Sequence, residues 1–193
     1  MTSGRPPRAD ALRNRARVLE VAHEVFAAEG LSVPIDEIAR RAGVGAGTVY
    51  RHFPTKDALF TAIVVARIDR ISARARSLAT AGDPGQAFFD FFAYMVAEGI
   101  ANKGLGEALA GAGVDVEALA AASDQELQRA LADLLTRAQR AGAVRDDVGP
   151  REVKALMGGC ATMERQLGAS APGRITTITC DGLRPPGART PPG

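Results

Sequence analysis

The sequence predicts an all-α fold: an amino-terminal head of three helices containing a helix-turn-helix, joined by a long helix to a carboxy-terminal helical bundle. Two observations carry that prediction. Apolar residues recur three and four positions apart along most of the 193 residues, the period of helices with one buried face. Glycine and proline cut the pattern at Gly30, at Phe53-Pro54, at 81–85 and at 141–148, which sets the number and length of the helices.

Residues 1–8, with a glycine and two prolines, are expected to form a disordered arm. From Arg5 to Arg17 five arginines accompany one acid, Asp10, so the start is locally basic. The whole chain is not: 24 Lys and Arg stand against 22 Asp and Glu, and net charge says nothing about nucleic acid. Such an arm is either a solvated tail or a nucleic-acid contact. The first helix, capped by Asp10 or an earlier residue, runs to Glu29. Leu12, Ala16, Leu19, Ala22 and Phe26 are its expected buried stripe, with His23 at the surface or boundary. Gly30 ends it. Pro34 suits the first turn of the next helix, where a missing N–H needs no partner.

Residues 35–53 read as two short helices about a tight turn. Ile35, Ile38 and Ala39 share one face, and Asp36, Glu37, Arg40 and Arg41 the other. Gly43 supplies a left-handed residue to stop the helix. Val44 plugs the turn, and 45–53 restart a helix with Val49 and Phe53 four apart. Small Ala39 lets the helices cross closely, as a helix-turn-helix requires. That unit lays its second helix in the major groove of DNA.

The pattern is longer than a generic helix-turn-helix. Gly30, Ile38-Ala39, Ala42-Gly43-Val44, Gly47-Thr48-Val49-Tyr50, His52-Phe53 and Pro54-x-Lys56 resemble the amino-terminal domain of tetracycline-repressor (TetR) family regulators, over about residues 13–59. The resemblance implies that Tyr50 and His52 touch the sugar-phosphate backbone. Thr48, near the helix start, can hold a phosphate through its hydroxyl and nearby amides, and Lys56 can pair with one as a point charge. Arg51 is the one long cation on the recognition helix and either reads guanine or clamps phosphate. Arg40 and Arg41 either contact the backbone or form a solvated face. The family often has a polar or basic residue where this chain has Gly45-Ala46. Gly45, Ala46 and Gly47 therefore offer amides and a small apolar surface suited to a thymine methyl, so DNA shape is expected to carry more of the specificity. Arg5, Arg8 and Arg13 are placed to reach the adjacent minor groove.

Thr55 caps the following helix, 56–79, whose apolar face is Leu59, Phe60, Ile63, Val64, Ile68 and Ile71. Residues 86–100 hold Phe88, Phe89, Phe91, Phe92, Tyr94 and Met95 around most of a helix. Singly these are core residues; as a cluster they are what an apolar ligand cavity needs. Phe88, Phe92, Tyr94, Met95, Met157 and Met163 are the candidate effector contacts, with Glu98 and Asn102 as polar groups of undetermined direction. Glycines interrupt 103–122, leaving short helices at 105–110 and 116–121. Helices at 124–140 and 150–167 follow. Residues 173–183 are either helical or, through the β-branched run Ile175 to Thr179, extended. Residues 184–193, rich in Pro and Gly, are expected to be disordered.

The domains expected are thus a basic arm at 1–8, a DNA-binding head at 9–55, a ligand-binding and dimerisation bundle at 56–183 and a tail at 184–193. The resemblance implies that 125–140 and 151–167 meet their symmetry mates in a homodimer. It further implies a repressor of a palindromic double-stranded DNA operator, released by a small-molecule effector of apolar or aromatic character. A ligand-independent DNA-binding adaptor, or an activator, is the alternative. An enzyme is disfavoured: no Gly-x-Ser-x-Gly, phosphate-binding glycine loop or metal-ligand spacing occurs, and there are only two histidines. No cofactor or metal is expected. Cys160 and Cys180 lie far apart, without the spacing of a redox motif or zinc site. With no signal-peptide pattern and no run of about 20 apolar residues, a soluble, cytoplasmic protein without a membrane partner is expected.

Overall fold

In a computed structural model of the protein, residues 7–80, 82–102, 116–168 and 171–186 are described. Among them are eight helices and no strand: α1 Pro7–Glu29, α2 Ile35–Ala42, α3 Ala46–His52, α4 Lys56–Ala79, α5 Pro84–Ala101, α6 Val116–Arg140, α7 Pro150–Leu167 and α8 Arg174–Leu183. The fold is all-α. Two compact units divide the chain: Met1–Arg67 with Lys103–Ala122, and Ile68–Asn102 with Ser123–Gly193. The first division falls inside α4. No helix among the described residues is long and apolar enough to cross a membrane.

The first unit is built on Phe26, fully buried and edge-on to Phe60 of α4 with ring centroids 4.9 Å apart. Burial along α1 begins at Val18 and continues through Leu19, Ala22, Val25 and Phe26. The expected stripe was longer. Leu12 is 69% exposed and Ala16 is exposed, so among the described residues the buried face of α1 starts only at Val18. The helix also begins at Pro7, inside the segment expected to be an arm; residues 1–6 lie outside the described residues. Gly43 stops α2 as anticipated, at φ 67°. Its N–H donates to the Arg40 carbonyl (3.1 Å) and the Val44 N–H to the Ala39 carbonyl (3.0 Å), a pairing that needs a left-handed residue. The Thr55 hydroxyl accepts from the Ala58 N–H at 3.1 Å and starts α4.

The second unit closes around Phe88, Phe91, Phe92 and Val96 of α5, packed with Leu134 and Leu135 of α6 and Val153, Met157 and Cys160 of α7. Asp83 starts α5 by accepting from the Gly85 and Gln86 N–H groups (2.9 and 3.0 Å), with Pro84 in the first turn. Two glycines set how closely α5 is approached. A Cβ at Gly85 would stand 2.5 Å from the Ala143 Cβ, and one at Gly99 2.9 Å from the Ala161 Cβ. Gly85→Ala is therefore expected to destabilise the second unit by ~1–3 kcal/mol, the usual cost of overpacking. Denaturant unfolding checks this, and an unchanged midpoint would mean that the 141–149 loop yields freely.

Two expectations change here. Residues 116–121 are not a separate helix but the first turns of α6, because no Gly or Pro interrupts Val116–Arg140 and Ala118, Ala120, Ala121 and Ala122 propagate the helix. The other short helix, 105–110, lies outside the described residues. Residues 173–183, left open above, are helical despite their β-branched run. The cause is Glu164 of α7, 5% exposed. Its carboxylate accepts from the Gly173 and Thr176 N–H groups, each at 2.9 Å, and from the Thr176 hydroxyl at 3.0 Å. These are the unsatisfied donors of a helix start.

Hydrogen bonds from Thr176 and Gly173 hold the Glu164 carboxyl below its ordinary value of 4.5. A group depressed on folding contributes stability that is complete above its ordinary pKa and is lost as pH falls through the depressed one. Thermal stability is therefore expected to drop as pH falls below 4.5, and Glu164→Gln to lower the melting temperature at neutral pH while shrinking that drop. A variant with the wild-type acid profile would remove Glu164 as the cause.

Candidate nucleic-acid interface

The α3 helix begins without a side-chain cap: Gly45 is extended (φ −69°, ψ 140°), and its carbonyl accepts from the Thr48 N–H at 2.8 Å. Val49 is buried inside the head, as is Phe53 just after the helix. That fixes the rotation of α3 and turns the rest outward. Tyr50 is 44% exposed, Arg51 and His52 are exposed, and Thr48 is half-buried. Gly45 and Gly47 are exposed and Ala46 is half-buried. A Cβ at Gly47 would meet nothing within 4 Å. The surface of α3 is therefore small and shallow at its start and rich in donors at its end.

Lys56 opens α4 beside this surface, its Nζ 5.9 Å from the Phe26 ring centroid. Two further cations of the basic stretch, Arg15 and Arg17, lie on the same head. The Arg15 guanidinium lies 5.5 Å from the Phe53 ring centroid, and Arg17 lies against the turn at Gly43. The sequence carries a signal for Arg15: three residues before Val18 and four before Leu19, it continues the buried face of α1, whereas Arg17 lies off it. Arg13 pairs instead with Asp10 within α1.

Arg40 and Arg41, open above between DNA backbone and solvated face, are engaged within the head. Arg40 donates to both Glu37 oxygens at 2.6 and 2.7 Å, and Arg41 donates to Glu37 at 2.7 Å and bridges to Glu29 at the end of α1. Hydrogen bonds from Arg40 and Arg41 hold the Glu37 carboxyl down at about 2. These pairs clamp α2 to α1 and occupy the two cations with carboxylates.

Of the candidate effector residues, Phe88, Phe92 and Met157 are buried in the core of the second unit, and Tyr94 and Met95 are partly buried against it. Met163 is not with them: it is 42% exposed on another face of α7. The inward stripe of α7 is Val153, Met157, Cys160, Ala161 and Glu164, while Leu156, Met163 and Leu167 form an outward one. Glu98 and Asn102 do come together. The Asn102 amide donates to the Glu98 carbonyl (2.6 Å) and carboxylate (3.1 Å), and Arg70 of α4 reaches that carboxylate at 3.4 Å. Burial and Glu98 raise the Tyr94 hydroxyl above its ordinary value, so it stays protonated as a donor. The thiols of Cys160 and Cys180 are free. Cys160 contacts the Thr179 hydroxyl at 3.1 Å, and burial pushes Cys180 up to about 11, which leaves it a poor nucleophile.

Comparison with known proteins follows the same division. Residues 18–63 match the family described as bacterial regulatory proteins, tetR family, and residues 83–185 the carboxy-terminal domain described as transcriptional regulator SbtR-like. An HTH-type transcriptional regulator of Staphylococcus aureus is 45% identical over 53 residues, which span 27% of this chain and only 29% of that relative. A TetR transcription regulatory protein from Mycobacterium vanbaalenii shares 50% identity and a TM-score of 0.79, over 93% of this chain and 100% of that one. A TetR regulator from Streptomyces coelicolor shares 32% identity and a TM-score of 0.73, over 89% and 98% of the two chains. Identity thus extends well beyond the helix-turn-helix. The chain belongs to the TetR family of transcriptional regulators.

Proposed function

We propose that the protein is a homodimeric repressor that holds a palindromic operator through α3 and lets go when a small apolar or aromatic molecule binds its carboxy-terminal unit. The observation that carries this reading is the rotation of α3: burial of Val49 leaves Thr48, Tyr50, Arg51 and His52 on the outside of the head. In the complex, Thr48, Tyr50, His52 and Lys56 hold phosphates and Arg51 takes a guanine edge or a phosphate. Gly45, Ala46 and Gly47 pass close to the groove floor. Arg15 and Arg17 add positive potential on the same head.

The dimer brings two recognition helices to half-sites related by a two-fold axis. Its face is expected at 125–140 and 151–167, and burial favours one of these over the other. Over 125–140 the described outward positions of α6 are polar: Gln125, Gln128, Arg129, Asp133, Thr136 and Arg140. Those of α7 include Leu156, Met163 and Leu167, and α8 adds Ile178. We therefore assign the interface to α7 with α8, and Met163 to that interface rather than to the effector. Phe88, Phe92, Tyr94, Met95 and Met157 remain the effector contacts. The α4 helix, whose residues divide between the two units, is the covalent route from effector to DNA.

The test is reciprocal. An effector that favours the DNA-incompetent state weakens operator binding by the same factor by which operator weakens effector binding. A compound that binds equally with and without operator is not an inducer. The alternative, a ligand-independent adaptor, draws support from the complete burial of Phe88 and Phe92. A thermal-shift panel separates the two, since an interior ligand raises the melting temperature by mass action.

A further inference from the structure

A groove of about 810 Å³ opens between α6 and the first turn of α7, wholly within the second unit. None of the candidate effector residues lines it. Leu131, Ala132 and Pro150 give it carbon surface, and Arg129, Arg151 and Lys154 give it three cations. Among the described lining residues the one carboxylate, Glu152, accepts from the Gly149 N–H at 3.0 Å and so caps its own helix. Neither Arg129 nor Arg151 has an ion-pair partner among the described residues.

The position of Arg151 runs against the helix dipole. It stands in the first turn of an 18-residue helix, where the backbone dipole favours an acid and disfavours a cation. Lys154, three residues on, carries the same charge but is engaged within the chain, which leaves the two arginines. Arg151 on α7 and Arg129 on α6, set over carbon and against a local rule, mark a place shaped for something outside the chain. The volume lies within the roughly 300–1,000 Å³ of small-molecule sites.

We propose that this groove binds a small organic anion carrying an apolar chain. Its carboxylate or phosphate is held by the guanidinium forks of Arg129 and Arg151, which match either oxyanion. The chain lies along Leu131, Ala132 and Pro150. This site is separate from the interior aromatic cluster, and it stands whether or not an effector binds there.

Calorimetric titration of the full chain with octanoate and with octyl phosphate tests it, with octanol and inorganic phosphate as controls. Saturable binding of either amphiphile is expected, with the better head group identifying the anion. Each control binds more weakly, and Arg129→Gln with Arg151→Gln costs about tenfold or more in affinity, the scale of lost charge-assisted hydrogen bonds. Both arginines are exposed, so the fold tolerates the change. In a parallel NMR titration the methyl resonances of Leu131 and Ala132 move. Unchanged affinity in the double variant, octanol binding as tightly as octanoate, or no saturable binding of either amphiphile at millimolar concentration overturns the proposal. Resonance shifts confined to Phe88, Phe92 and Met157 also overturn it, while leaving an interior effector site intact.

Discussion

Phe26→Ala is expected to unfold the DNA-binding head while leaving the second unit folded. Phe26 is fully buried, meets Phe60 edge-on at 4.9 Å, and carries the Lys56 ammonium 5.9 Å above its ring. Truncating a buried Phe costs ~3–5 kcal/mol through lost transfer energy and the cavity left behind. Domains as a class have only about 5–15 kcal/mol to lose, and a small head has little surplus. The α3 helix packs on α1 and α2 within this head, so operator binding is lost with the fold. Chemical denaturation followed at Tyr50, in the head, and at Tyr94, in the second unit, checks it. The Tyr50 signal should shift strongly to lower denaturant and the Tyr94 signal should not. A coincident shift of both would show that the two units unfold as one.

Leu156→Arg combined with Met163→Arg is expected to dissociate the dimer without unfolding the protomer. Both side chains are outward on α7, so a protomer tolerates the change, whereas an isologous interface meets each substitution twice, with unpaired charge in a desolvated patch. Operator affinity then falls by roughly 10²–10⁴-fold, because two tethered recognition helices become two independent ones. Sedimentation gives the mass and operator titration the affinity. A variant that stays dimeric and binds DNA normally would move the interface elsewhere, with the polar face of α6 as the remaining candidate.

The head was largely legible because its signals are local. Gly43 must be left-handed, Thr55 caps, and Val49 with Phe53 fixes a face, all within a few residues of what they control. What was missed depends on distant partners. The α8 helix is started by Glu164, nine residues before Gly173, so a reading of Ile175 to Thr179 alone saw only β-branched residues. Leu12 and Ala16 keep the α1 period but are exposed, with no partner burying them among the described residues. Met163 shares apolar character with Met157, and only the packing of α7 shows that the two lie on different stripes. Arg40 and Arg41 show the same limit: helical spacing joined them to Glu37, but only the packing of α2 on α1 brings Glu29 to Arg41. The groove at Arg129 and Arg151 joins residues 22 positions apart and leaves no trace in any motif.

The central claim is that two copies of α3, held by one dimer, grip a two-fold-related operator mainly through phosphate. Hydroxyl-radical footprinting on DNA selected from random sequence tests it most directly. Two protected half-sites related by a dyad are expected, separated by about one helical turn or a multiple of it. Protection is also expected to be lost together at both half-sites when Thr48→Ala, Tyr50→Ala and Lys56→Ala are combined. A single protected patch without a dyad, or a footprint unchanged in that triple variant, would contradict it.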